Sequence, residues 1–256
     1  MSKYGVCNLS IVPIRAEASD KSELLSQLLF GDCFEILELS EKWLKIKTCF
    51  DDYEGWIDHK QYISINACLL QSPGSILGVK PYHEVIRLAT NEKLYLVAGT
   101  RIPEVINNNF FLGKDEYQIE ADSVVPQSLS FESSVKEYAK FFLNAPYLWG
   151  GKSLYGIDCS GLSQMVFRML GKNLKRDAWQ QAEQGEVVNF LQEAKAGDLA
   201  FFDNEEGKVV HVGIMLDDQH IIHASGRVKI DLLDGQGIYS LEFKKHTHKL
   251  RIIKRV

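Results

Sequence analysis

Tyr147-Leu148-Trp149-Gly150-Gly151, followed closely by Ile157-Asp158-Cys159-Ser160-Gly161-Leu162, is the stretch from which the rest of this chain is read. It runs a glycine-rich loop into a segment where Leu162, Val166, Phe167, Met169 and Leu170 recur at helical spacing, with Gly171 as a stop. Cys159 therefore falls in the first turn of a helix. Unpaired backbone N–H groups and the positive end of the helix dipole meet there and favour a thiolate, so a lowered thiol pKa is expected. A buried core cysteine is the plain alternative, but Asp158, Ser160 and Gly161 are poor company for one. The residue types point to a nucleophile.

A cysteine nucleophile needs a base, and the candidates lie downstream. Lys208 to Leu216 is a β-branched, apolar run carrying His211; after an Asp217-Asp218 turn, Gln219 to Ser225 carries His223. In a hairpin the two histidines share a side, which gives a nucleophile, a base and a group that orients the base. His223 is expected to accept a hydrogen bond from His211, turning the other nitrogen of His211 toward sulfur. A zinc set of His211, His220 and His223 is set aside, because His220 and His223 have opposite parity on one strand. No metal and no cofactor are expected. His59, His83, His220, His246 and His248 read as surface or loop residues.

The 256 residues exceed the usual size of one domain, so two or three small domains are expected. A hydrophobic share of 45%, a charged share of 25% and a net charge of −5 describe an ordinary soluble protein, with no footprint for nucleic acid or a membrane surface. The start, Met1-Ser2-Lys3-Tyr4-Gly5-Val6-Cys7, has no apolar leader, and a cytoplasmic location is expected. Cys7, Cys33, Cys49, Cys68 and Cys159 form no CxxC pair; the first four read as small core residues in a reducing compartment.

Residues from about 133 to 256 resemble the NlpC/P60 family of cysteine peptidases, whose members cleave cell-wall peptides. The blocks that carry the resemblance are Tyr147 to Gly151, Asp158 to Leu162, Arg176-Asp177 with Gln181, Ala196-Gly197-Asp198-Leu199, His211-Val212-Gly213-Ile214 and Ile222-His223-Ala224-Ser225. The resemblance implies a papain-like α+β domain with the Cys helix packed on an antiparallel sheet. It implies roles in substrate binding for Asp158, as acceptor of a charged amine, and for Ser160. Cys159 N–H and the Tyr147 hydroxyl are oxyanion donors in the same reading. Trp149 is either packing or a substrate contact. Arg176 and Asp177 are either a surface ion pair or the lining of the diamino acid side, and Ala178 stands where many relatives carry serine.

Ahead of this unit, short runs read as closely spaced strands: Leu9 to Pro13, Leu24 to Phe30, Cys33 to Leu39, Trp43 to Thr48 and Gly55 to Ile57. Val12 to Glu17, Ser26 to Asp32 and Tyr53 to Ile57 resemble a bacterial SH3 domain. Residues 64–128, with runs at 67–70, 76–79, 94–98, 100–106 and 117–119, look like a second, divergent SH3-type domain without evident chemistry. The expected division is 1–63, 64–128 and 129–256: two small β-barrels, a linker at 126–130 and the catalytic unit. A helix capped by Ser133 or Ser134 opens that unit, and four or five strands close it.

An SH3 domain before the peptidase resembles the γ-D-glutamyl-diamino acid endopeptidases, which remove L-Ala-γ-D-Glu from free murein peptides. The resemblance implies that Glu17 pairs with the ammonium of L-Ala and that Tyr53 closes the pocket beyond it. The expected partner is a murein tri- or tetrapeptide with a free N-terminal L-Ala, met by a monomer. The rivals are an exported hydrolase of glycan-attached stem peptides, a non-catalytic wall-binding protein and an acyltransferase on the same scaffold.

Overall fold

The computed structural model describes residues 3–66, 74–125 and 129–256. The expected strand at 67–70, Cys68 and the linker residues 126–128 lie outside them. Two compact units divide the chain, Met1–Gln127 and Ser128–Val256.

The first unit opens with β1 (Tyr4–Val6), β2 (Ile11–Arg15), β3 (Leu24–Leu29), β4 (Cys33–Leu39), β5 (Trp43–Thr48), β6 (Glu54–Asp58) and β7 (Ile63–Ile65), hydrogen-bonded in the order β3-β2-β6-β5-β4-β1-β7. Period-2 burial drives it: Val12 and Ile14 in β2 and Leu44 and Ile46 in β5 turn inward beside Leu28, Phe34 and Ile57. The boundary expected at residue 63 falls inside β7, which pairs with β1 through Tyr4 and Ile65.

Next come β8 (Gly74–Ile76), β9 (His83–Arg87), β10 (Glu92–Leu96), β11 (Arg101–Pro103), β12 (Asn109–Leu112) and β13 (Asp115–Ile119), in a four-stranded sheet β10-β9-β13-β12 and a pair β11-β8. β9 and β12 were not expected, since charged and amide residues interrupt both runs. The two β regions share one apolar cluster, in which Val6, Phe30 and Ile65 pack with Leu77, Val85, Phe110 and Tyr117. They are one compact unit with a common core. Cys7 is buried as expected, but Cys33 is half-buried and Cys49 exposed. His83 is not a surface residue; it is buried and its Nε2 donates to the Gly78 carbonyl at 3.0 Å.

The second unit begins with α1 (Phe131–Lys140). Its cap is Ser130, whose Oγ accepts from Ser133 N–H at 3.3 Å, so the helix starts earlier than expected. Phe131, in the added turn, packs edge-on against Phe167 at 5.0 Å between ring centres. Then follow β14 (Lys152–Ser153), β15 (Gly156–Ile157), α2 (Cys159–Met169), α3 (Ala178–Gln181) and β16 (Glu186–Val188). The remaining strands are β17 (Leu199–Asp203), β18 (Val209–Met215), β19 (His220–Ser225), β20 (Arg227–Asp234), β21 (Gly237–Ser240) and β22 (Lys245–Arg255). These form one antiparallel sheet in the order β16-β22-β17-β18-β19-β20-β21, larger than the four or five strands expected. β22 also pairs with β21, which curls the sheet back on itself and brings the first residues of β22 near β17 and β18. Among the described residues no helix is long and apolar enough to cross a membrane.

Candidate active site

The α2 N-terminus is built by a carboxylate. Asp158 is its N-cap, and Oδ1 accepts from Gly161 N–H at 2.6 Å. A side chain at Gly161 would meet the Gly151 carbonyl at 2.3 Å, so only glycine lets the helix start this close to the loop. The loop is held from its other side, where Gly150 N–H donates to Asp158 Oδ2 at 2.7 Å. Arg176 then grips both oxygens, Nη1 to Oδ1 at 3.0 Å and Nη2 to Oδ2 at 2.5 Å, with Nη1 also donating to Ser160 Oγ at 2.8 Å.

These contacts correct one expectation. Arg176 is 1% exposed and forms a buried bidentate pair, not a surface one. Asp158 accepts from two backbone N–H groups and from both terminal nitrogens of the guanidinium, so its carboxylate holds the loop and the helix start together. Ser160 is likewise engaged: its hydroxyl accepts from Arg176, and its carbonyl accepts from Ser163 Oγ and Gln181 Nε2, each at 3.0 Å. Asp177 is half-buried at the start of α3, its N–H donating to Gln180 Oε1 at 3.0 Å.

Cys159 sits in the first turn of α2, 7% exposed. Its thiol is pushed up to about 12, by burial first and then by the Asp158 charge; the N–H groups of Val212 and Ser160 and the Arg176 charge pull the other way. The lowered thiol pKa expected from the helix terminus is therefore overturned. Burial is the main reason, and the Asp158 carboxylate at the same helix end adds to it. The Val212 contact sets the sulfur against β18, next to His211 in sequence. Tyr147 lies close enough to feel the charge of Cys159 and Asp158, and burial first, then those two groups, push its hydroxyl up to about 12. Trp149 is exposed beside it in the loop.

β18 and β19 bring His211 and His223 together. His211 Nε2 and His223 Nδ1 are 2.9 Å apart, and His223 Nε2 and Asp231 Oδ2 are 3.1 Å apart. Charge and donor counting fix the protons along this row. Burial is the largest influence on Asp231 and opposes its charge, but hydrogen bonds from His223 and Leu241 N–H outweigh it and hold the carboxyl below its usual range. Being ionised, Asp231 only accepts, so His223 donates from Nε2–H. Burial pushes His223 down, against the pull of Asp231, and pushes His211 well below 6.5 with help from His223 and His248. Both rings are neutral near pH 7, so His223 Nδ1 accepts and His211 donates from Nε2–H. His211 Nδ1 is left with its lone pair, ready to take a proton.

Two participants in this row were not anticipated. Asp231 lies on β20, where Val228, Ile230 and Leu232 alternate with Lys229, Asp231 and Leu233, so both faces look partly apolar and parity gives no warning of a buried acid. His248 was expected at the surface but is half-buried, stacked on His211 with ring centres 4.3 Å apart and planes 23° apart. His220 turns away to Asp217 Oδ1 at 2.9 Å.

In the first unit, Glu17 is exposed just beyond β2, with its N–H donating to Ser22 Oγ at 2.9 Å. Tyr53 is half-buried, and its N–H donates to Thr48 Oγ1 at 2.9 Å; that hydroxyl in turn donates to buried Asp51.

Residues 144–249 match the profile of the NlpC/P60 family, and residues 14–61 match that of the bacterial dipeptidyl-peptidase SH3 domain. A γ-D-glutamyl-L-lysine dipeptidyl-peptidase of Bacillus subtilis is 28% identical, over 78% of this chain and 71% of that protein. Dipeptidyl-peptidase 6 of Lysinibacillus sphaericus is 28% identical, over 86% of this chain and 88% of its own. The crystal structure of an NlpC/P60 family protein from Bacillus cereus shares the fold with a TM-score of 0.81 at 19% identity, covering 98% of this chain and 99% of that one.

Proposed function

We propose, from the premise that this chain is a cysteine peptidase of the NlpC/P60 family with a bacterial SH3 domain ahead of its catalytic unit, that it hydrolyses the γ-D-glutamyl bond to the diamino acid of free murein peptides and releases L-Ala-γ-D-Glu. The observation that carries this is a dipeptidyl-peptidase-type SH3 domain ahead of Cys159, His211 and His223 in a chain that is 28% identical to two dipeptidyl-peptidases over 78% and 86% of its length. We read the β-rich first unit as two SH3-type barrels on a shared core and the second as papain-like. Action on free peptides in a reducing cytoplasm, where Cys159 stays a thiol, completes the reading.

The chemistry follows from the proton positions. The resting site holds a neutral thiol and a neutral imidazole, so Cys159 attacks the γ-glutamyl carbonyl as His211 Nδ1 takes its proton. The new imidazolium donates through Nε2 to His223, which Asp231 holds in the accepting tautomer. His211 then protonates the leaving amine of the diamino acid, and a thioester to Cys159 remains. Water, deprotonated by His211, cleaves the thioester and restores the thiol. Cys159 N–H and the Tyr147 hydroxyl are the proposed oxyanion donors; the raised Tyr147 pKa keeps that hydroxyl protonated. Asp177 and Trp149 remain candidate substrate contacts, with Glu17 and Tyr53 as the proposed readers of the free amine.

The test is mass spectrometry of products from L-Ala-γ-D-Glu-L-Lys and its diaminopimelate counterpart, each beside the same peptide with its amine acylated. Release of L-Ala-D-Glu from the free peptides alone is expected, and none with Cys159→Ala. Glu17→Ala should raise KM for the free peptides and leave the acylated ones as poor as before. Equal cleavage of free and acylated peptides would overturn the free-amine reading in favour of glycan-attached stems.

A further inference from the structure

We propose that His248 is a positioning residue for His211, laying a flat ring on the base that takes the Cys159 proton. The proposal rests on the reading of Cys159 and His211 as nucleophile and base given above.

The second ring torsion of a histidine has broad wells, so nothing intrinsic aims Nδ1. Its hydrogen bond to His223 anchors Nε2 but leaves the ring free to swing about that contact. What limits the swing is the packing on its sides. Phe202 of β17 stands 5.7 Å from the His211 ring at 45°, and His223 meets it edge-on at 5.1 Å and 85°. His248 of β22 is the near-parallel neighbour, at 4.3 Å and 23°.

His248 is itself held. Thr247 Oγ1 is hydrogen-bonded to His248 Nδ1 at 2.9 Å and lies 3.4 Å from the Ile238 carbonyl. The groups facing His248 are His211, Phe202 and His223 by ring contact and His223, Lys229 and Asp231 by charge. Burial first, then His223 and Lys229, lower its pKa to about 4, with Asp231 opposing, so it is uncharged wherever the peptidase would work. A neutral π face parallel to His211 suits an imidazolium formed there, whereas a charged neighbour would repel it. The stack thus serves both states of the base, fixing the plane of the neutral ring and accepting the charge of the protonated one.

The experiment compares His248→Leu, which fills the space without a flat face, with His248→Phe, which keeps the face without nitrogens, on the full chain with free murein tripeptide. His248→Leu should lower kcat about 10- to 100-fold with KM little changed, the scale of a misaligned catalytic group. His248→Phe should recover most of that loss. Thermal unfolding of both variants checks the fold, and ¹⁵N spectra of His211 report its tautomer, which a merely structural role would not move. Wild-type kcat in His248→Leu overturns the proposal. Equal loss in both variants overturns it as well, because nitrogens and not the face would then matter, and a rise in KM with unchanged kcat would make His248 a substrate contact. Cys159→Ala separates the two levels: residual turnover there sinks the nucleophile reading, while an inert Cys159→Ala beside a fully active His248→Leu sinks only the stack.

Discussion

Two buried carboxylates serve the same small site and do opposite things. Asp158, 4% exposed, takes hydrogen bonds from Gly150 N–H, Gly161 N–H and both guanidinium nitrogens of Arg176. Asp231, 2% exposed, takes one from His223 and one from Leu241 N–H at 2.8 Å, with Lys229 Nζ at 3.8 Å. Donors that never titrate surround the first, so its charge is spent on geometry: it pins the glycine loop, the helix start and the 176 loop to one point. A titratable ring faces the second, so its charge sets where protons lie along a row. A buried acid becomes a scaffold or a polarising group according to whether its donors can change state.

The largest effect should come from breaking the scaffold. Arg176→Met leaves the Asp158 charge buried without its partner, which costs about 3–5 kcal/mol in comparable buried pairs. Urea unfolding should show that loss, and Arg176→Met combined with Asp158→Asn should regain part of it, because the charge is gone while an N-cap acceptor stays. If the single variant kept full stability and lost only substrate affinity, Arg176 would be a substrate ligand and the comparison would fail.

The polarising acid should answer differently. Asp231→Asn keeps the shape but no longer fixes the His223 tautomer, so kcat should fall about 100-fold, within the range of general acid–base contributions. KM and the unfolding midpoint should shift little beside those of Arg176→Met. A variant that unfolded as readily as Arg176→Met while keeping kcat in its folded fraction would make Asp231 a second scaffold.

Much of this was legible in the residues. The Cys159 helix, the His211–His223 hairpin and the short strands of the first β region each rest on local patterns, namely helical spacing, a two-residue turn between apolar runs and closely spaced strand-like runs. The rest depends on distant register. His248 reaches His211 only because β22 closes the sheet onto β17 and β21, and nothing near His248 in sequence announces it. Asp231 needed the β19–β20 register, which pairs His223 with Lys229 and sets Asp231 two residues further along the same face. Asp158 and Arg176 were visible as residues, but their mutual burial was not. The packing of Ile65 and Val6 with residues of the second β region was hidden for a similar reason, since the partners lie far along the chain.

The smallest and most diffuse effect concerns acid. His211, His223 and His248 are all held below their usual 6.5, burial being the first cause for each. Unfolded chains bind protons at these positions near pH 6.5, while the folded chain does not until lower pH. Between those values the unfolded state carries more protons, so stability rises with pH across the window and is lost on acidification. Above 6.5 the contribution is complete; for His248 the loss runs from 6.5 down to about 4, and for His211 it extends further. Asp231 acts in the same direction only lower, below its usual 3.8. Midpoints of thermal unfolding should therefore be level from pH 8 to 6.5 and then descend, with a shallower descent in His248→Phe, which removes one of the three proton acceptors. The same proton deficit should place the acid limb of kcat/KM below 6.5, since His211 must be neutral to act as base. A level midpoint from pH 8 to 5 would mean that the rings are already open to protons in the folded chain, and the contrast between a fixed and a titratable set of donors would dissolve.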